Sequence, residues 1–89
     1  MRNSKIGEIR MPNKRIILRL TQLRKEHGLS QNDLAKAIGF RINTVRKHES
    51  GETSPRVNSL IKYAEFYQVS IHYLFGLTDI RKSYPPKSK

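Results

Sequence analysis

Eighty-nine residues, 36% of them hydrophobic, allow one small domain with a limited core. The chain has no cysteine, which excludes a disulfide framework and a thiolate zinc site and suits a reducing, cytoplasmic setting. Eighteen Lys and Arg against seven acids give a net charge of +11, which favours a polyanionic partner, either nucleic acid or an anionic membrane surface.

Residues 1–13 have mixed polarity and contain Pro12, and read as a flexible arm. Ile6, Ile9 and Met11 are available for local packing, and Arg2, Lys5 and Arg10 for phosphates. The stretch is basic but lacks the continuous apolar core of a signal peptide, and no apolar run in the chain approaches the ~20 residues that span a bilayer. Asn13 is placed to cap a first helix running to about His27. Ile16, Leu20 and Leu23 recur at i, i+4 and i+7, the spacing of a buried stripe, while Lys14, Arg15, Arg19 and Lys25 are expected outside. Ile17 and Leu18 lie off that stripe. Gly28 ends the helix and Leu29 drops into the core.

Two short helices joined by a tight turn follow in LSQNDLAKAIGFRINTVRKHESG, Leu29 to Gly51. Ser30 is a good N-cap, and Asp33 stands at the third helical position, where a carboxylate suits the helix N-terminus. Leu34, Ala35 and Ile38 share one apolar face, and Gly39 marks the turn. The second helix is expected from about Ile42 to Ser50, stopped by Gly51. Val45 faces inward with His48 beside it. Arg41, Ile42, Asn43, Arg46 and Lys47 project elsewhere, and three of these five are cationic. A short helix packed by one edge, with a basic N-terminal end, fits a DNA major groove.

After a polar loop ending at Pro55, a fourth helix is expected from about Arg56 to Tyr67, with Val57, Leu60, Ile61 and Ala64 inward and Tyr67 closing it. Ser70 caps a last short helix, Ile71 to Phe75, in which either Ile71, Leu74 and Phe75 seal the core or Tyr73 and Phe75 partly form a partner surface. Gly76 ends it, and Leu77 to Asp79 form a polar turn. Residues 80–89, with two adjacent prolines and four cations, read as a disordered basic tail.

The order and spacing of Leu23-Arg24, Gly28-Leu29-Ser30-Gln31, Leu34-Ala35, Ile38-Gly39, Thr44-Val45, Glu49 and Gly51, continued by Pro55, Leu60, Ala64, Val69-Ser70 and Leu74, resemble the helix-turn-helix of the Xre family, the small DNA-binding domains of phage Cro and lambda-type repressors. The resemblance covers residues 14–79. It implies an all-α, compact five-helix lambda repressor-like domain, encoded by a bacterium or phage. It also implies that Ile42, Asn43 and Lys47 face base edges, with Arg46 near the same surface. Asn43 suits adenine, Lys47 the acceptors of guanine, and Ile42 a thymine methyl. Gln31 is expected to hold a phosphate and brace the reading helix, and Arg24 and Glu49 to form a partly buried ion pair. Arg41, Thr44 and Arg56 are further phosphate candidates. Two positions depart from the family. Arg41 replaces a capping Ser or Thr, and Gln68 stands where glycine is usual.

His27, His48 and His72 form no HxxxH or HxH pattern, so no metal site is expected; His48 reads as a half-buried packing residue in place of a large apolar one. Tyr63, Phe66, Tyr67, Tyr73 and Phe75 lie at helical spacing and read as core or dimer surface. No catalytic motif, cofactor site or small-molecule ligand is inferred. The favoured reading is a transcriptional repressor that binds double-stranded operator DNA as a homodimer. The alternative is an antitoxin or adaptor whose main partner is another protein, docked on the aromatic surface from Tyr63 to Phe75 and the basic tail. A membrane-surface peptide fails on pattern, because the cations are spread over several short helices.

Overall fold

The computed structural model describes residues 14–82, and the expectations for the N-terminal arm and for residues 83–89 lie outside them. The described residues hold five helices and no strand: α1 (Lys14–Glu26), α2 (Gln31–Ile38), α3 (Ile42–Ser50), α4 (Val57–Tyr67) and α5 (Ile71–Leu74). None is long and apolar enough to cross a membrane.

The core forms where the apolar stripes meet. Ile16, Leu20 and Leu23 of α1 are buried, as are Leu34 and Ala35 of α2 and Val45 of α3. Leu29 and Phe40 from the turns, with Ile38 and Ile42 from the helix ends, pack against them. Local chemistry fixes the entry to α2. The Ser30 hydroxyl accepts the Asp33 N–H at 2.9 Å, and the Asp33 carboxylate accepts the Ser30 N–H at 3.2 Å. This reciprocal box satisfies donors that the first helical turn leaves free. At the other end Gly39 adopts φ 88°, and the Gly39 and Phe40 N–H groups both bond the Ala35 carbonyl at 2.9 Å. That left-handed residue turns the chain sharply enough to set α3 across α2.

The inward face of α4 differs from the sequence reading. Leu60, Tyr63, Ala64 and Tyr67 are buried, whereas Val57 is 67% and Ile61 38% exposed. The spacing i, i+3, i+4, i+7 is kept but rotated along the helix. Two tyrosine rings bury more area than Val57 and Ile61 do, and area decides which face turns inward. Gln68 ends α4 in the left-handed region at φ 60°, with its side-chain amide donating to the Glu65 carbonyl at 3.1 Å.

The C-terminal end of the described chain also departs from expectation. Residues 80–82 do not begin a detached tail. The Ser70 N–H bonds the Arg81 carbonyl at 2.8 Å, and the Arg81 guanidinium donates twice to Glu26, at 2.8 and 3.0 Å, and once to the Tyr73 hydroxyl. Arg19, expected outside, is half-buried. It donates to the carbonyls of Tyr73 and Thr78 and to Asp79, with its guanidinium 3.9 Å from the centre of the Tyr73 ring. Tyr73 is therefore 4% exposed and is core, not a partner surface. Arg15 donates to the Gly76 carbonyl, and its stem packs so closely there that any Cβ at position 76 would run into it.

Candidate nucleic-acid interface

Helix α3 divides cleanly into two sides. Val45 is fully buried, and His48 and Glu49 are buried at 6% and 9% exposure. Arg41, Asn43, Arg46 and Lys47 are exposed, while Ile42 and Thr44 are half-buried. Ile42 packs partly on the core, so its side chain is less free than those of its neighbours. The exposed edge thus carries one amide and three cations. Arg41 is the N-cap residue, with extended backbone and no side-chain capping bond, as arginine has no acceptor to offer. Arg56 sits at the equivalent position before α4, exposed and likewise without a capping bond.

What holds the outer edge in place lies beneath it. The Arg24 Nε donates to both oxygens of Glu49, at 3.1 and 2.9 Å, and its Nη1 donates to the Leu29 carbonyl at 2.7 Å. The Gln31 amide donates to the same carboxylate at 3.1 Å. One carboxylate at the end of α3 therefore ties together the end of α1 and the start of α2. Its side chain is only 4% exposed and that of Arg24 12%, so the pair is largely desolvated and depends on these bonds being complete. Gln31 spends one amide hydrogen on Glu49 and remains half-buried at the first position of α2.

A second anchor uses His48, expected inward but half-buried and in fact 6% exposed, with a partner that the sequence reading did not name. The His48 Nδ1 and the Tyr63 hydroxyl are 2.8 Å apart, joining α3 to α4. Phe40, from the turn before α3, meets both rings edge-on at 5.9 and 5.3 Å. Burial pushes the His48 pKa below its ordinary value and that of Tyr63 far above its own, so both groups are held neutral. The signal that points to Tyr63 is the 60, 63, 64, 67 spacing, which competes with the equally regular 57, 60, 61, 64. His27 and His72 are exposed and stand apart from this anchor.

A glycine turn between two short helices, the second braced from below and cationic on its outer edge, defines a helix-turn-helix module. The chain belongs to the helix-turn-helix family, in its Xre and Cro-like branch: the family model described as "Helix-turn-helix" matches residues 20–74. It is 39% identical over 61 residues to the uncharacterized HTH-type transcriptional regulator YobD of Bacillus subtilis, covering 68% of this chain and 54% of that protein. It is 34% identical over 71 residues to the cryptic phage CTXphi transcriptional repressor RstR of Vibrio cholerae, covering 80% and 64%. It is 35% identical over 61 residues to the HTH-type transcriptional regulator MJ0272 of Methanocaldococcus jannaschii, covering 68% and 92%. The chain spans about half the length of YobD. No solved structure matches it.

Proposed function

We propose that this protein is a sequence-specific, double-stranded DNA-binding transcriptional regulator, acting as a repressor. The observation that carries the reading is the two-sided α3, whose inner residues are fixed by Arg24, Gln31 and Tyr63 while Asn43, Arg46 and Lys47 stay exposed. Asn43 would pair bidentately with adenine, and Lys47 and Arg46 would donate to guanine. Ile42, Thr44, Gln31, Arg41 and Arg56 surround that edge: Ile42 for a thymine methyl, the others for phosphate oxygens. The names of the relatives, transcriptional regulators and a phage repressor, point the same way. One module reads few base pairs, so binding as a homodimer to two half-sites about one turn apart (~34 Å) would supply the missing affinity and specificity. A cytoplasmic setting follows from that target. The polar side chains buried beneath α3, Arg24 with Glu49 and His48 with Tyr63, are engaged with one another, which suits a binding protein rather than an enzyme.

The alternative of a protein partner docked on Tyr63 to Phe75 loses three of the five aromatic side chains of that surface. Tyr63, Tyr67 and Tyr73 are buried. Selection of bound sites from a random DNA library, followed by titration of the selected and a scrambled site across salt, tests the function. The expected result is a preferred, two-fold-related sequence bound ~10³-fold or more above scrambled DNA. Equal affinity for both at every salt concentration would overturn it.

A further inference from the structure

The inner edge of α3 carries a directional bond that exposing Asn43, Arg46 and Lys47 does not itself require. An apolar side chain at position 48 would fill the space and tolerate small rotations of the helix. A hydrogen bond at 2.8 Å does not, since it weakens steeply as distance and angle drift. His48 and Tyr63 are 6% and 0% exposed, and Phe40 closes the pair from the turn. The three rings come from the turn, from α3 and from α4, so together they fix α3 against the body of the domain.

We propose that the His48–Tyr63 bond is a positioning device: it sets the rotation of α3 about its own axis, and with it the aim of Asn43, Arg46 and Lys47, and it holds only while His48 is neutral. This rests on the DNA-reading function above. The neutral ring accepts the Tyr63 proton at Nδ1 when its own hydrogen is on Nε2. A proton taken from solvent at Nδ1 makes both groups donors along one line. The Tyr63 hydroxyl must then turn to accept, and its own hydrogen leaves the one partner it has among the described residues, on a side chain that is 0% exposed.

The charged groups around the bond do not relieve that conflict. Glu49, adjacent on α3, is committed to Arg24 of α1 and Gln31 of α2. Lys62 of α4 lies 5.5 Å from the centre of the Phe40 ring and adds positive charge, and Lys47 on α3 is exposed. Tyr67 of α4 is held neutral by burial. Neutral His48 is therefore the state that fits the site, and burial keeps it so near pH 7.

The test uses the full chain and a selected DNA site, with fluorescence anisotropy at fixed ionic strength and far-UV circular dichroism to confirm folding. The quantity read is the ratio of specific to scrambled-DNA affinity at about pH 7.5 and about pH 5. In the wild type this ratio should fall about three- to tenfold on acidification, the range of one net hydrogen bond. His48→Asn keeps an acceptor near Nδ1 but cannot titrate, so it should hold the ratio at both pH values. The double variant His48→Phe/Tyr63→Phe removes both partners, remains folded, and should show a reduced ratio independent of pH. A double variant with the wild-type ratio, or His48→Asn falling with pH as the wild type does, would overturn the positioning role. Absence of any preferred site at pH 7.5 would remove the DNA-reading function itself, whereas specific binding that is flat in pH removes only this inference.

Discussion

Arg24 is the residue whose truncation should cost most. Arg24→Ala leaves Glu49 at 4% side-chain exposure with Gln31 as its one remaining side-chain donor. Stranding a buried charge costs ~3–5 kcal/mol, a large share of the ~5–10 kcal/mol available to a domain of this size. A urea titration should show the midpoint collapse, and Arg24→Lys should not restore it, because a point ammonium cannot span both Glu49 oxygens and the Leu29 carbonyl. Tyr67 carries the opposite expectation. Its hydroxyl is buried without a hydrogen-bond partner among the described residues. Tyr67→Phe should leave thermal stability unchanged or raise it by up to ~1 kcal/mol. Gln68 at φ 60° bears left-handed strain that glycine would not, so Gln68→Gly should gain ~0.5–1 kcal/mol, read as a rise of several degrees in Tm. The Arg24–Glu49 pair was readable from a family motif. The orphaned hydroxyl was not, since no local pattern says where a phenol points.

Helix α3, like α4, starts on an arginine without a side-chain cap, whereas α2 and α5 start on capping serines. Arg41→Ser should therefore stabilise the domain by ~1 kcal/mol while lowering the slope of log affinity against log salt by about one, if Arg41 meets a phosphate. Unchanged salt dependence would place Arg41 off the DNA. The same comparison of sequence and structure explains what was legible at this scale. Helices α1, α2 and α3 announce themselves, because Gly28, Ser30, Gly39 and Gly51 mark their ends and α1 and α2 each have one apolar stripe. In α4, two registers of the stripe share Leu60 and Ala64, and with Tyr67 inward in either reading, periodicity cannot choose between Val57 with Ile61 and Tyr63. The aromatic register wins on buried area, and choosing it would also have exposed the His48 partner. The outer edge of α3 could be read from the cations flanking a single inward valine. Arg19 and Arg81 could not be placed, because the partners of Arg19 lie 54 to 60 residues away and the carboxylate that pairs with Arg81 lies 55 away, beyond any local signal.

Across the whole molecule, acid should act in two stages. Burial lowers the His48 pKa, so the unfolded chain takes up that proton first. Stability is then complete above the ordinary histidine value of 6.5 and falls as the pH drops from there through the lower value of the folded state. The second stage belongs to carboxylates. The hydrogen bond from Arg81 holds Glu26 below its ordinary 4.5, and the backbone bond from Ser30 holds Asp33 below 3.8. Their contribution is present above those values and is lost as the pH falls through the folded ones, releasing Arg81 from α1 and opening the box at α2. Both carboxylates are solvent-exposed, so this stage should be shallow and screened by salt. Each protonation also adds to a charge that is already +11, and self-repulsion deepens the loss at low ionic strength. A plot of Tm against pH should show a first decline below pH 6.5 that His48→Asn removes. A second decline, below pH 4.5, should shrink in Glu26→Gln, which lacks the titrating carboxylate, and be relieved by added salt. If His48→Asn left the first decline in place, the imidazole would not be its source, and the anchor between α3 and α4 would be insensitive to protons.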